Sequence, residues 1–356
     1  MAITSATASA PARVNLLGEH TDYNFGLVLP TPLPFETTVT LKLEGAGGVV
    51  TVWSEAFANT LRRHVMEPAQ RNWSDYVIGC LKLLLDRGAK VRGIHAEVKS
   101  NVPMGAGISS SAALLVATLR AARELFDLDP FEYTDKVIAD LAHEVETNYV
   151  GVPCGTMDQM VSSIGQYGEA MYYDTQSGHI DLIKMPDNVD FAIFHCGLKR
   201  QLLDAQTGYK QRVAECKKAC ELLNVPNLRA VDMSNIAQIE ALASPFKERA
   251  RHVVTENQRV IDGVTALQAG DIVRFGQLMN DSHTSQRDDY KVSIPAIDRL
   301  VEAALAHGAL GARLTGGGFG GAIVAMFEKG KLAAAEKPIV AACPGSYLVK
   351  EQIVKS

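Results

Sequence analysis

No run of lysine and arginine long enough to form a stripe for a polyanion occurs in the 356 residues, and the net charge of −5 has the wrong sign for a general nucleic-acid binder. DNA and RNA are therefore not expected partners. No apolar run is long enough to cross a bilayer, and Met1 to Ala10 carry neither a basic n-region nor an apolar h-region, so a cytoplasmic chain without a membrane partner is expected. The six cysteines (Cys80, Cys154, Cys196, Cys216, Cys220, Cys343) include no CxxC pair, which removes the usual zinc and disulfide frameworks. Cys216 and Cys220 share a helix face at i, i+4, but without histidine partners they read as free thiols. Internal repeats and low-complexity tracts are absent too. What remains is a chain with 47% apolar residues, too long for one ordinary core and suited to two domains.

The stretch Pro103-Met104-Gly105-Ala106-Gly107-Ile108-Ser109-Ser110-Ser111-Ala112-Ala113 carries the strongest chemistry. Upstream, Ile94, Ala96 and Val98 alternate with His95 and Glu97, the period of a half-buried strand; downstream, Leu115, Leu119, Ala122 and Phe126 mark one face of a helix. Gly105 and Gly107 can take positive φ, letting backbone N–H groups converge on an anion. The helix start aims its unpaired amides and positive dipole end at the same point. The loop reads as a phosphate cradle. It lacks the lysine of the G-x-x-x-x-G-K-[ST] pattern, so further charge neutralisation must come from a metal ion or from elsewhere in the chain.

Near the N-terminus, Arg13-Val14-Asn15-Leu16-Leu17-Gly18-Glu19-His20-Thr21-Asp22-Tyr23-Asn24 turns from an apolar strand into a dense run of donors and acceptors, as a polyhydroxylated ligand would require. Thr37–Leu43 and Val49–Trp53, joined at Gly45-Ala46-Gly47-Gly48, read as a hairpin. Trp73–Leu85 reads as a helix closed by Gly88, and Asp129-Pro130 as the start of a helix delivering Glu146 near its end. Gly151-Val152-Pro153-Cys154-Gly155-Thr156-Met157-Asp158-Gln159 is a punctuated turn with one carboxylate. The domain boundary falls at 187/188, where the polar Pro186-Asp187-Asn188 precedes an apolar run, giving domains 1–187 and 188–356. Helices then follow, opening at Gly208 and spanning Arg249–Leu267. His283, Arg287, Asp288, Asp289 and Tyr290 read as a solvated helix end. Leu314-Thr315-Gly316-Gly317-Gly318-Phe319-Gly320-Gly321-Ala322 leads from a helix into an apolar strand, its glycines implying close approach to the first Gly-rich loop or to a ligand.

Arg13–Tyr23, Pro103–Ala113 and Leu314–Ala322 together resemble the three motifs of the GHMP kinase superfamily, named for galactokinase, homoserine kinase, mevalonate kinase and phosphomevalonate kinase. RVNLLGEHTDYN, PCGTMDQ, RHVVTENQR and SHTSQRDDY are most similar to the galactokinase branch. The resemblance implies an α/β fold (α+β, two-lobed), with an N-terminal ribosomal-S5-type domain, a C-terminal ferredoxin-like domain and the active site in the cleft between. It implies an ATP-dependent sugar-1-kinase acting on α-D-galactose as a monomer. Another aldose or amino sugar, such as arabinose or N-acetylgalactosamine, and a non-catalytic galactose/ATP sensor remain alternatives; the intact Ser109–Ala113 favours an enzyme. Carried over residue by residue, Asp158 is the catalytic base and Arg13 lies beside the reacting hydroxyl. Glu19, His20, Asp22, Gly155 and Tyr209 surround the sugar. Gly105, Ala106, Gly107, Ile108, Ser109, Ser110 and Ser111 hold ATP, and Ser110 and Glu146 coordinate Mg²⁺.

Overall fold

The computed structural model describes residues 3–45, 47–103, 105–198 and 202–351. They group into two compact units, the first comprising Met1–Arg13, Leu33–Val102 and Ser109–Gly165, the second Val14–Pro32, Pro103–Ile108 and Gln166–Ser356. The boundary expected at 187/188 lies inside the second unit.

The first unit is built on a five-stranded sheet ordered β1-β3-β6-β4-β5, with β1 Ser5–Asn15, β3 Pro30–Leu43, β4 Val49–Ser54, β5 Asn59–His64 and β6 Ile94–Ser100. Helices α1 (Ser74–Asp86), α2 (Ser110–Leu125), α3 (Asp135–Glu144) and α4 (Met157–Ile164) accompany it. Alternation sets the core: Ile94, Ala96 and Val98 point into the same cluster as Val50, Val52, Leu81, Leu84, Leu115 and Leu119.

Two local expectations change. The hairpin of residues 37–43 and 49–53 is open, because β6 lies between the two strands, antiparallel to β3 (Leu43↔Ile94) and parallel to β4 (Val50↔Ile94). With Ile94, Ala96 and Val98 buried, β6 gains more apolar contact in the middle of the sheet than at an edge. The helix expected from Asp129-Pro130 starts at Asp135, where the Thr134 side chain accepts from Val137 N–H; Asp129 instead caps a turn by accepting from Phe131 N–H at 2.9 Å.

The second unit holds a three-stranded sheet ordered β2-β7-β8, from β2 Leu27–Val28, β7 Glu169–Asp174 and β8 Ile180–Lys184. A four-stranded antiparallel sheet follows, ordered β10-β11-β9-β12: β9 Val189–His195, β10 Ala309–Thr315, β11 Ala322–Glu328 and β12 Tyr347–Glu351. Its helices are α5 (Leu202–Leu223), α6 (Ile236–Glu240), α7 (Phe246–Ala269), α8 (Ile272–Asp288), α9 (Pro295–Ala306) and α10 (Leu332–Ala341). All seven residues of β9 are buried, as the central position of a covered sheet requires. The Gly316–Gly321 segment joins strand β10 to strand β11 instead of following a helix. The cluster read as a solvated helix end is partly interior: Tyr290 and His283 are buried, and His283 lies 3.3 Å from Asp298.

Candidate active site

In the first unit, Arg13 near the end of β1 meets Asp158 in the first turn of α4. Nε donates to Oδ1 at 2.8 Å and Nη2 to Oδ2 at 2.9 Å, a two-pronged pairing that fixes the carboxylate plane. A third donor is Ser109 Oγ, which bonds to Asp158 Oδ2. The Arg13 side chain is 5% exposed and that of Asp158 27%, so the carboxylate is held from behind while part of it remains reachable. Ser109 takes φ +62°, ψ +49°, a left-handed conformation that costs a non-glycine residue roughly 1–2 kcal/mol. It is the N-cap residue of α2, where the chain enters the helix.

Glu146 sits in a π-helical turn, Val145–Val150, that continues α3, and Gly151 with φ +81° ends it. Gln159 Nε2 donates to Glu146 Oε2 at 2.6 Å, and Ser111 adds a side-chain hydrogen bond. Burial outweighs both bonds and pushes the carboxyl from an ordinary 4.5 up to about 7. Ser110, the other expected metal ligand, is exposed at the first residue of α2, and Gly155 is buried in the turn before α4. Among the described residues no group of three or more His, Cys, Asp or Glu side chains could cage a metal. One buried carboxylate with the Ser111 hydroxyl against it and Ser110 next in the chain does fit Mg²⁺, which takes one or two protein oxygens and completes its shell with phosphate oxygens and water.

In the second unit, Gly105 and Gly107 adopt φ +75° and +74° as expected, with Ala106 and Ile108 buried between and after them. Gly316 serves close backbone approach to this loop, since a Cβ on it would lie 2.7 Å from the Gly107 carbonyl oxygen, whereas one on Gly318 would meet Val292 instead. His195 at the end of β9 braces the loop as well. Its Nδ1 accepts from Gly197 N–H at 3.0 Å, so Nε2 carries the proton, and the ring lies against the Gly105 backbone. Burial holds its pKa below the usual histidine value.

Glu19 is buried, with Oε2 accepting from Asn15 Nδ2 at 2.9 Å and Oε1 from Gly316 N–H at 2.6 Å. Arg313 Nη2 lies 3.7 Å away. His20 has φ +63°, and its ring packs against Tyr23, Tyr209 and Tyr290 at centroid distances of 5.8, 5.6 and 4.8 Å. Asn24 Nδ2 donates to the His20 carbonyl at 2.8 Å. Asp22 opens the short 3-10 turn Asp22–Asn24, and Tyr209 lies on α5. Sequence reasoning missed the contact of Ser109 with Asp158, the support of Gln159 for Glu146, and the brace from His195. Gln159 alone had a visible signal, its place beside Asp158 in the same short turn.

Residues 75–166 match the GHMP kinases N terminal domain, residues 264–344 the GHMP kinases C terminal domain, and residues 3–43 the galactokinase galactose-binding signature. Among solved structures, Lactococcus lactis galactokinase complexed with galactose superimposes with a TM-score of 0.90 at 28% identity, covering 99% of this chain and 94% of that one. Mevalonate kinase from Methanococcus jannaschii gives 0.70 at 20% identity over 98% of both chains. L. major mevalonate kinase in complex with R-mevalonate gives 0.69 at 22% identity over 98% and 96%. The two mevalonate kinases share the fold.

Proposed function

The chain belongs to the GHMP kinase family and is a sugar kinase, and we propose that it transfers the γ-phosphoryl group of ATP to the anomeric hydroxyl of α-D-galactose, giving ADP and α-D-galactose 1-phosphate. The observation that carries this reading is the presence in one chain of the galactose-binding signature over residues 3–43 and the Arg13–Asp158 pairing.

Asp158 accepts the proton of the sugar hydroxyl. Arg13 holds that carboxylate in place and offsets negative charge as it builds on the reacting oxygens. Ser109 fixes the third side of the carboxylate, so its plane is set before substrate arrives. A positioned base contributes about 10²–10⁴-fold, which leaves much of the rate to phosphate positioning. Backbone N–H groups of Gly105 to Ser111 hold the phosphates, and Ser110 and Glu146 would hold Mg²⁺, whose charge compensates the phosphate oxygens when bound. His20, Asp22, Gly155 and Tyr209 contact the sugar. Glu19 joins them through the acceptor capacity left after Asn15, Gly316 and Thr315 are satisfied, since a carboxylate offers about four acceptor sites. Among the described residues no helix is long and apolar enough to cross a membrane. From the family resemblance we infer that the enzyme acts in the cytoplasm as a monomer.

The test is ADP release measured across galactose, glucose, arabinose and N-acetylgalactosamine. Galactose should give the highest kcat/KM. A higher value for any of the others would keep the kinase assignment and overturn the substrate.

A further inference from the structure

Four side chains of the second unit form an unbroken hydrogen-bonded row. His20 Nδ1 lies 3.0 Å from the Tyr23 hydroxyl, that hydroxyl 2.7 Å from the Tyr290 hydroxyl, and the Tyr290 hydroxyl 3.1 Å from Cys216 Sγ. Burial pushes both tyrosines well above their ordinary range and Cys216 up to about 12, so near neutrality all three keep their protons. With one proton on each member and both buried phenol protons kept within the row, it can be filled in two ways. In the first, Cys216 S–H donates to Tyr290, Tyr290 O–H to Tyr23, and Tyr23 O–H to His20 Nδ1, which leaves the ring proton on Nε2. In the second, every bond is reversed and the ring proton sits on Nδ1.

The two directions are not equivalent. An imidazole nitrogen is a far better acceptor than a thiol sulfur, and the reversed row gives a phenol proton to sulfur while denying one to imidazole. The Asn24 amide, which holds the His20 carbonyl at 2.8 Å, lies on the Cys216 side of the row. The neighbouring ring of His252, 4.3 Å from Tyr290 between centroids, stays outside the row. Its Nε2 lies 3.1 Å from the Glu19 carbonyl and therefore carries the proton, and its Nδ1 accepts from Ser285.

We propose that Tyr290 and Cys216 are positioning residues for the phosphoryl acceptor: acting through Tyr23, they fix His20 as the Nε2–H tautomer, so that Nε2 presents a donor to a sugar oxygen. This rests on the reading of His20 as a sugar contact. Three tyrosine rings set the plane of the imidazole, and the row sets its proton, so direction and sign of the hydrogen bond are both fixed before sugar binds.

The test uses full-length ¹⁵N-labelled protein without substrate and long-range ¹H–¹⁵N NMR, with the His20 signals assigned by their loss in His20→Gln. The wild type should show a protonated Nε2 and an unprotonated Nδ1. Tyr290→Phe should convert His20 to a mixture of tautomers and raise KM for galactose by about 2- to 10-fold, the worth of one neutral hydrogen bond, while KM for ATP stays unchanged. Cys216→Ala breaks the row at its far end and should act in the same direction, so a misfolded Tyr290→Phe would not leave the question open. Cys216→Ser restores a donor and should retain the wild-type tautomer. A wild-type Nδ1–H tautomer, or an unchanged tautomer in both row-breaking variants, overturns the proposal. Because the spectrum needs no turnover, absence of galactose phosphorylation would sink the substrate reading while the tautomer result stands separately.

Discussion

Replacing Glu146 with glutamine should make the protein more stable at alkaline pH and less able to use MgATP, two effects with one origin. Burial raises the Glu146 carboxyl from 4.5 to about 7 in the folded chain. Between those values the native state binds more protons at this site than the unfolded state does, so the site's contribution to stability falls as pH rises. The contribution is fully present below about 4.5 and lost once pH passes about 7. At about 1.36 kcal/mol per unit, the gap corresponds to a penalty on the order of 3 kcal/mol for holding the ionised form in place at pH 8. Glutamine keeps the shape and can accept from Gln159 and Ser111, but it has no charge to bury. Glu146→Gln should therefore match the wild type at pH 5 and melt a few degrees higher at pH 8, measured without metal or nucleotide. With ATP present, the wild type should gain stability from added Mg²⁺ at pH 8 while the variant gains little, and its Mg²⁺ requirement for turnover should rise. Equal melting of the two proteins at pH 8, or parallel pH profiles between 5 and 8, would refute the account of Glu146 as a buried carboxylate poised for a cation.

Asp158→Asn should lower kcat by about 10²-fold or more by removing the proton acceptor, while sugar and nucleotide still bind. A matching thermal midpoint must accompany the result, and a near-normal kcat would reassign the base. Asp22→Ala should erode the preference for galactose over glucose by about 10- to 100-fold, the worth of one charge-assisted hydrogen bond, and leave any sugar-independent ATP hydrolysis intact. An unchanged kcat/KM ratio for the two sugars would remove Asp22 from the pocket.

Features governed by neighbouring residues were legible in the sequence. The 94–98 alternation became the inner face of β6, the Leu115-Leu119-Ala122 face became the buried side of α2, and both loop glycines took positive φ. Non-local choices were not. Nothing near residues 37–53 announces that a strand from position 94 onward will enter between them, because sheet order depends on which strand has the most apolar surface to bury. Arg13 and Asp158 stand 145 residues apart, and no periodicity connects them. Tyr290 looked solvent-facing amid Arg287, Asp288 and Asp289, yet its ring is fully buried against His20 and His252, since a polar neighbourhood in sequence says little about one aromatic side chain.

The run Ser109-Ser110-Ser111 shows how local regularity can conceal separate duties. Successive helical residues point about 100° apart, so three neighbouring hydroxyls cannot serve one target. Ser109 lies just outside the helix in a left-handed conformation and donates to Asp158, Ser110 faces outward at the first turn, and Ser111 bonds to Glu146. An alanine at position 109 would keep the phosphate loop's backbone amides while removing one of three donors to Asp158. Alanine at position 111 would leave Asp158 untouched and take a hydrogen bond from the Glu146 carboxylate, pushing its pKa higher still. The strain at Ser109 is what separates these roles: with ordinary helical torsions its hydroxyl would be carried round with the helix and would no longer be held by the left-handed turn against Asp158.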